Sequence, residues 1–285
     1  TLVDFTAFAL PAYKEREVLM HPLSEKEFDE LVAKERVGAA TSEDLKRLEP
    51  YRARRAVFFA AGFGSRMLPI TVNTPKPLVR VHGKRIIDRL IDAVLAAGIE
   101  EIYVVRGYLA EEFDQLLRSY PMIRFIDNPR YAETNNISSA VLAKDLFENA
   151  YVFESDLYLV DPSLVTKYQY RSNYLGLPVQ STDDWYFDAD ENGRIVALAK
   201  GKDSPCWQMA GISYWTAVDG AKLREDIPAA FDENDENKQV FWDEVALRLR
   251  ADDYDVHVRP FEADAIVEID SFAELQEVDP AYRIA

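Results

Sequence analysis

Between Ala56 and Leu78 the chain reads AVFFAAGFGSRMLPITVNTPKPL, an apolar run that breaks into a glycine-containing basic loop. Val57, Phe58 and Phe59 have strand composition, and the run stops abruptly at Ala60-Ala61-Gly62-Phe63-Gly64-Ser65-Arg66. Small residues there leave backbone N–H groups uncovered. Gly62 and Gly64 can take positive φ, so a phosphate can approach the main chain, while Arg66 supplies a forked cation and Lys76 a point charge. Pro69, Pro75 and Pro77 predict that Lys76 is held in a stiff, extended segment. A chain with this stretch is constrained to place an anion cradle at the end of a buried strand. Two glycines alone would also describe an ordinary tight turn with two surface cations.

Downstream, strand and helix patterns alternate. Helices are predicted over 86–97 (ending at Gly98), 109–119 and 137–146, and strands over 101–106, 123–126 and 151–154. Short buried strands between amphipathic helices predict a parallel sheet with right-handed crossovers, whose ligands bind at the carboxyl ends of the strands. The glycine loop, Gly107-Tyr108, Asn135-Asn136 and Asp156 all fall at such ends. The pattern then changes. Strands are predicted over 173–179, 185–188, 195–199 and 210–215, with Asn192-Gly193 as a hairpin turn, helices over 219–231 and 241–250, strands over 255–259 and 265–268, and a closing helix from Ser271. With no internal repeat or linker, residues 56–285 read as one domain. Ahead of it lies a helical extension over 1–55. Residues 1–23 show no period, but Ser24-Glu25-Lys26-Glu27 is a capping box for a helix stopping at Gly38, and 41–51 reads as a second helix with Leu45 and Leu48 inward. Packing, or contact between two copies as a homodimer, suits this pair better than DNA binding, because a third helix is missing and the extension is nearly neutral.

Net charge is −17, and residues 1–55 hold 11 acids and 10 bases, so nearly all of the excess lies in the second region. That argues against nucleic acid as a partner. An acidic body that binds phosphates needs metal ions and a local basic loop, and it also tolerates a cationic substrate. The single cysteine, Cys206, excludes an internal disulfide and a zinc site on paired cysteines. No apolar run reaches membrane-spanning length and no signal pattern opens the sequence, which predicts a soluble, cytoplasmic protein without membrane partners.

Asp156 ends a strand predicted to lie near the glycine loop, where a carboxylate can hold Mg²⁺ on phosphate oxygens. Asp270 is a second acid at a strand end, and either holds the metal or N-caps the helix from Ser271. Trp185, Phe241, Trp242 and Asp243 form an aromatic and acidic group of the kind that binds a quaternary ammonium, with core packing as the alternative for each ring.

AAGFGSR followed by PKPL resembles the AAGxGSR and PKxL pattern of the sugar-nucleotide nucleotidyltransferases, and in particular the bacterial choline-phosphate cytidylyltransferases. The resemblance extends over about 230 residues. It implies a Rossmann-like, mixed-sheet (GT-A-like) α/β fold, Mg²⁺ held by Asp156 and Asp270, and catalysis by Arg66 and Lys76. It implies nucleotide contacts from Ala60, Ala61, Gly62, Gly64, Ser65, Gly107, Asn136 and Ser139, the last two in an N-N-x-x-S segment. An acceptor pocket would comprise Trp185, Phe241, Asp243 and Glu268, with Phe241 where the family has tyrosine, while Glu154, also acidic in the pattern, would support the metal pair. The expected reaction is cytidylyl transfer from CTP to phosphocholine, giving CDP-choline and pyrophosphate. 2-Aminoethylphosphonate, phosphoethanolamine or a sugar 1-phosphate are alternative acceptors, and a regulatory nucleotide-binding protein without turnover is the alternative of another class.

Overall fold

A computed structural model describes residues 22–283; residues 1–21 and 284–285 lie outside the described residues. The chain divides into two compact units, Thr1–Arg52 and Ala53–Ala285. In the first, α1 (Glu25–Arg36) and α2 (Ser42–Leu48) each begin with a reciprocal capping box, Ser24 with Glu27 and Thr41 with Asp44. Phe28, Leu31 and Leu48 are buried and the Phe28 and Tyr51 rings meet at 5.3 Å. Leu45, expected inward, is instead 40% exposed.

The second unit contains β1 (Arg55–Ala60), the two-residue ladder β2 (Arg80–Val81) and β3 (Lys84–Arg85), α3 (Ile86–Ala96), β4 (Glu101–Arg106) and β5 (Arg124–Asp127). Then follow α4 (Ile137–Leu142), β6 (Ala150–Glu154), β7 (Leu157–Leu159), β8 (Asn173–Val179), β9 (Thr182–Ala189), β10 (Ile195–Lys202) and β11 (Cys206–Trp215). The chain closes with α5 (Ala217–Glu233), β12 (His257–Pro260), β13 (Ile266–Glu268) and α6 (Phe272–Val278). Among the described residues the main sheet has nine strands in the path β10-β9-β11-β6-β1-β4-β5, with β8 on β11 and β12 on β8. β6, β1, β4 and β5 run parallel, whereas β11 pairs antiparallel with β6, β8 and β9. The fold is the expected mixed α/β architecture.

β1 shows how the sequence specifies two layers. Ala56, Phe58 and Ala60 point into one core cluster and Val57 and Phe59 into another, as the two-residue period of a strand requires. Phe58 stacks on Phe153 of β6 at 4.7 Å, and truncating such a ring to alanine costs about 3–5 kcal/mol. A third cluster, including Met67, Val79, Ile86, Ile269 and Leu275, clamps the basic loop against α6. It fixes Lys76 and Asp270 relative to each other.

Three helices differ from expectation. Residues 110–118 form a tighter 3₁₀ helix, the helix expected over 137–146 breaks into α4 and a 3₁₀ turn, and 245–249 is π-helical. Lys76 begins a 3₁₀ turn, Lys76–Leu78, rather than lying in an extended segment, because Pro77 sits within the first turn, where its missing N–H costs nothing.

Candidate active site

One cavity of about 530 Å³ opens at the carboxyl ends of the parallel strands. Ala60, Ala61, Gly62, Gly64, Ser65, Arg66, Lys76, Asn136, Ser139, Asp156, Trp185, Phe241, Asp243, Glu268 and Asp270 all line it. Gly107, expected to contact nucleotide, does not. A Cβ at 107 would lie 2.7 Å from Cβ of Tyr131, so its bare backbone instead gives room to Tyr131, which does line the cavity.

The loop after β1 uses its glycines unequally. Gly64 has φ +61°, and a Cβ there would meet Cβ of Lys76 at 3.0 Å and Cγ2 of Thr71 at 3.1 Å, so both conformation and space demand glycine. Gly62 lacks the positive φ expected of it and faces open space. Thr71 donates from Oγ1 to the Gly64 carbonyl at 2.8 Å and braces the loop.

Lys76 is the electrostatic centre. Only 7% exposed, it donates from Nζ to Asp156 Oδ2 at 2.9 Å and to Asp270 Oδ1 at 2.7 Å, while Arg66 Nη1 reaches Asp270 Oδ2 at 2.7 Å. Burial disfavours the ammonium, but attraction to Asp156 and the hydrogen bonds to Asp270 and Asp156 outweigh it, and the pKa of Lys76 is raised. Burial also opposes charge on Asp270, yet Lys76 and Arg66 hold its pKa below the usual carboxylate value. Asp270 is not the helix cap. Ser271 caps α6, accepting from the N–H of Glu274, and Asp270 is left to face the cations.

Asp156, Glu268 and Asp270 present carboxylate oxygens within 4.8 Å of one another, and Asp156 Oδ1 is buried without a hydrogen-bond partner. A set of hard oxygen donors with one orphaned lone-pair site fits a divalent cation.

The β9–β11 side of the cavity is acidic. Asp243 is 1% exposed; Tyr174 donates to its Oδ2 at 2.8 Å, but Oδ1 has no partner. Burial pushes its pKa up to about 6 against the Tyr174 hydrogen bond. Burial, then the negative charge of Asp156, Asp270 and Asp184, raises Glu268 to about 8, and burial with Asp156, Asp243 and Glu268 pushes Glu154 well above its ordinary value. Glu154 lies across Gly211 of β11, where a Cβ would come within 2.6 Å of its Oε2. The Trp185 and Phe241 rings meet at 5.7 Å and 76°, forming a corner. Trp242, grouped with them in sequence, is core: it packs on Phe59, Phe147 and Trp215.

Asn136 lines the cavity, but its Oδ1 accepts from the Trp242 N–H at 2.9 Å and its side chain does not cap α4. It ties the segment after β5 to the segment carrying Phe241 and Asp243. Ser139 is buried, held by Asn128 Nδ2 at 3.0 Å. The sequence reading missed Phe63, Tyr131, Asp184 and Gly211. Asp184 had a signal in Asp183-Asp184-Trp185, but strict alternation would place residues 183 and 185 together. A register shift in the β9–β10 pairing between Lys200 and Lys202 falls beside these residues, and Asp184 and Trp185 both line the cavity.

Residues 56–176 match the MobA-like NTP transferase domain. The chain is 40% identical over 230 residues to the 2-aminoethylphosphonate cytidylyltransferase of Lancefieldella rimae, covering 80% of this chain and 92% of the relative. The chain belongs to the cytidylyltransferases. It is also 31% identical to the choline-phosphate cytidylyltransferase of Streptococcus pneumoniae, over 79% of this chain and 96% of that one. The solved CTP:phosphocholine cytidylyltransferase of that organism superposes with a TM-score of 0.74 at 29% identity, covering 81% of this chain and all of the other. This cytidylyltransferase is therefore an enzyme of the nucleotidyltransferase class, and the alternative of a regulatory protein without turnover falls. Enzymes of this family generally use a divalent metal, in keeping with the acidic cluster. Among the described residues no helix is long and apolar enough to cross a membrane.

Proposed function

We propose that this cytidylyltransferase transfers the cytidylyl group of CTP to 2-aminoethylphosphonate. A phosphonate oxygen attacks the α-phosphorus in line, the new O–P bond forms, the bond to the β-phosphate oxygen breaks, and pyrophosphate leaves. Lys76 and Arg66 face the position where negative charge builds, and no covalent enzyme intermediate is needed. Magnesium, held by Asp156 and Asp270 with Glu268 beside them, would supply further charge neutralisation on the phosphates.

The observation that carries the acceptor assignment is the buried Oδ1 of Asp243, which has no hydrogen-bond donor. A primary ammonium donates three hydrogen bonds and can satisfy it; a trimethylammonium donates none. Among the described residues Glu154, Asp184, Asp243 and Glu268 form no ion pair with any side chain, so this end of the cavity has carboxyl groups without a cation, and burial drives Glu154, Asp243 and Glu268 toward the protonated form until a cationic group pairs with them. The 40% identity to a 2-aminoethylphosphonate enzyme supports the same reading. It displaces the phosphocholine expected first from the sequence.

Phosphocholine stays as a second reading because of the Trp185–Phe241 corner, whose ring faces suit a quaternary ammonium. Initial rates of pyrophosphate release from CTP with 2-aminoethylphosphonate, phosphoethanolamine and phosphocholine separate the two. We expect kcat/KM to favour 2-aminoethylphosphonate over phosphocholine by about tenfold or more. The reverse order would overturn the acceptor assignment and leave cytidylyl transfer intact.

A further inference from the structure

We infer that Phe63 is the stacking platform for the nucleobase, a binding role that rests on the chain's being a CTP enzyme but not on which acceptor it takes. Phe63 is the residue between the two loop glycines. It is 46% exposed, belongs to none of the core clusters and lines the cavity. A phenylalanine held on a loop tip with nearly half its surface open has a ring face to offer.

Its orientation is built rather than incidental. The Phe63 ring contacts Tyr108 and Tyr131, each at 5.2 Å between centroids and tilted by 49° and 56°. Tyr108 is pinned, its hydroxyl donating to the carbonyls of Thr71 at 2.9 Å and Val72 at 3.1 Å. Tyr131 packs down onto the bare backbone of Gly107, where any side chain would collide. Three rings from the loops after β1, β4 and β5 thus form one braced group.

Topology places that group opposite the acceptor end. β4 and β5 lie on one side of β1, and β6, β11 and β9 on the other. Every cavity carboxylate comes from the second side, from the segment around 243 or from the end of β13; the first side contributes rings, amides and hydroxyls. A nucleobase is uncharged and flat, and it gains most from an aromatic face in such a neutral environment. Phe63 also belongs to the loop whose backbone faces the phosphates, which suits a ligand whose base lies one ribose from its α-phosphate.

Stacking is tolerant of base identity, so Phe63 contributes affinity rather than choice of base. The test measures equilibrium dissociation constants of CTP, CMP and inorganic pyrophosphate for the wild type, Phe63→Ala and Phe63→Trp. We expect Phe63→Ala to weaken CTP and CMP by the same factor, about five- to a hundredfold, to leave pyrophosphate binding unchanged, and Phe63→Trp to restore nucleotide affinity with indole fluorescence quenched by CMP. Tyr108→Phe, which removes only the bracing hydroxyl, should weaken CMP in the same direction and by less. Unchanged CMP affinity in Phe63→Ala would overturn the inference, as would an equal loss of pyrophosphate affinity, since that would mean the loop itself had moved. The order of acceptors measured on the same variants at saturating CTP reports on the acceptor assignment alone.

Discussion

The two acidic ends of the cavity handle charge in opposite ways. At the phosphate end, Asp156 and Asp270 are already matched by Lys76 and Arg66 at 2.7–2.9 Å. At the proposed acceptor end, Glu154, Asp184 and Asp243 have no cationic partner, and Asp243 Oδ1, like Asp156 Oδ1 at the phosphate end, is buried without a donor. Charge balanced within the protein holds a geometry before substrate arrives, as catalysis by preorganised groups requires. Buried carboxyls without a partner favour the charged form only when a cation enters, which is why the proposed acceptor site is put at the second end.

The largest effect should come from breaking the balanced end. In Lys76→Ala we expect kcat to fall by about 10²- to 10³-fold with a smaller change in the KM for CTP, because a preorganised charge matters most where charge develops. Steady-state kinetics check this, and an unaltered kcat would take Lys76 out of the chemistry. Removing a wall of the unbalanced end sharpens the contrast: Trp185→Ala should raise the acceptor KM by about tenfold while the KM for CTP stays near wild type. Equal changes in both would mean that Trp185 supports the whole cavity.

The smallest effect is a pH signature of the unbalanced end. The folded-state pKa of Asp243 is raised from 3.8 to about 6, so the folded protein holds a proton that the unfolded chain has released. Its contribution to stability therefore falls as pH rises through that window, while acceptor binding improves as the carboxylate becomes charged. Thermal melts of the ligand-free protein from pH 4 to 7 should show a shallower decline in Asp243→Asn than in the wild type; parallel slopes would assign the pH dependence to other groups.

Much of this was legible beforehand, for reasons that differ by residue. Val57, Phe58 and Phe59 could be read as a buried strand because a two-sided core demands an unbroken apolar run. Gly64 could be read because its conformation is encoded locally. The cap of α6 was open in the sequence: Asp270 and Ser271 are both good N-cap residues, and only the position of Arg66 and Lys76 across the cavity decides that Ser271 caps. Trp185 and Trp242 look alike in sequence, yet one lines the cavity and the other lies among Phe59, Phe147 and Trp215.

The sequence by itself determined the layered α/β order, the cradle after β1 and the family of the chemistry, because strand period, capping boxes and glycine conformation act over a few neighbouring residues. Which charges cancel and which remain was decided by tertiary structure alone. Lys76 lies 80 residues from Asp156 and 194 from Asp270 along the chain, and electrostatic energy depends on separation through space and on burial, neither of which spacing along the chain records.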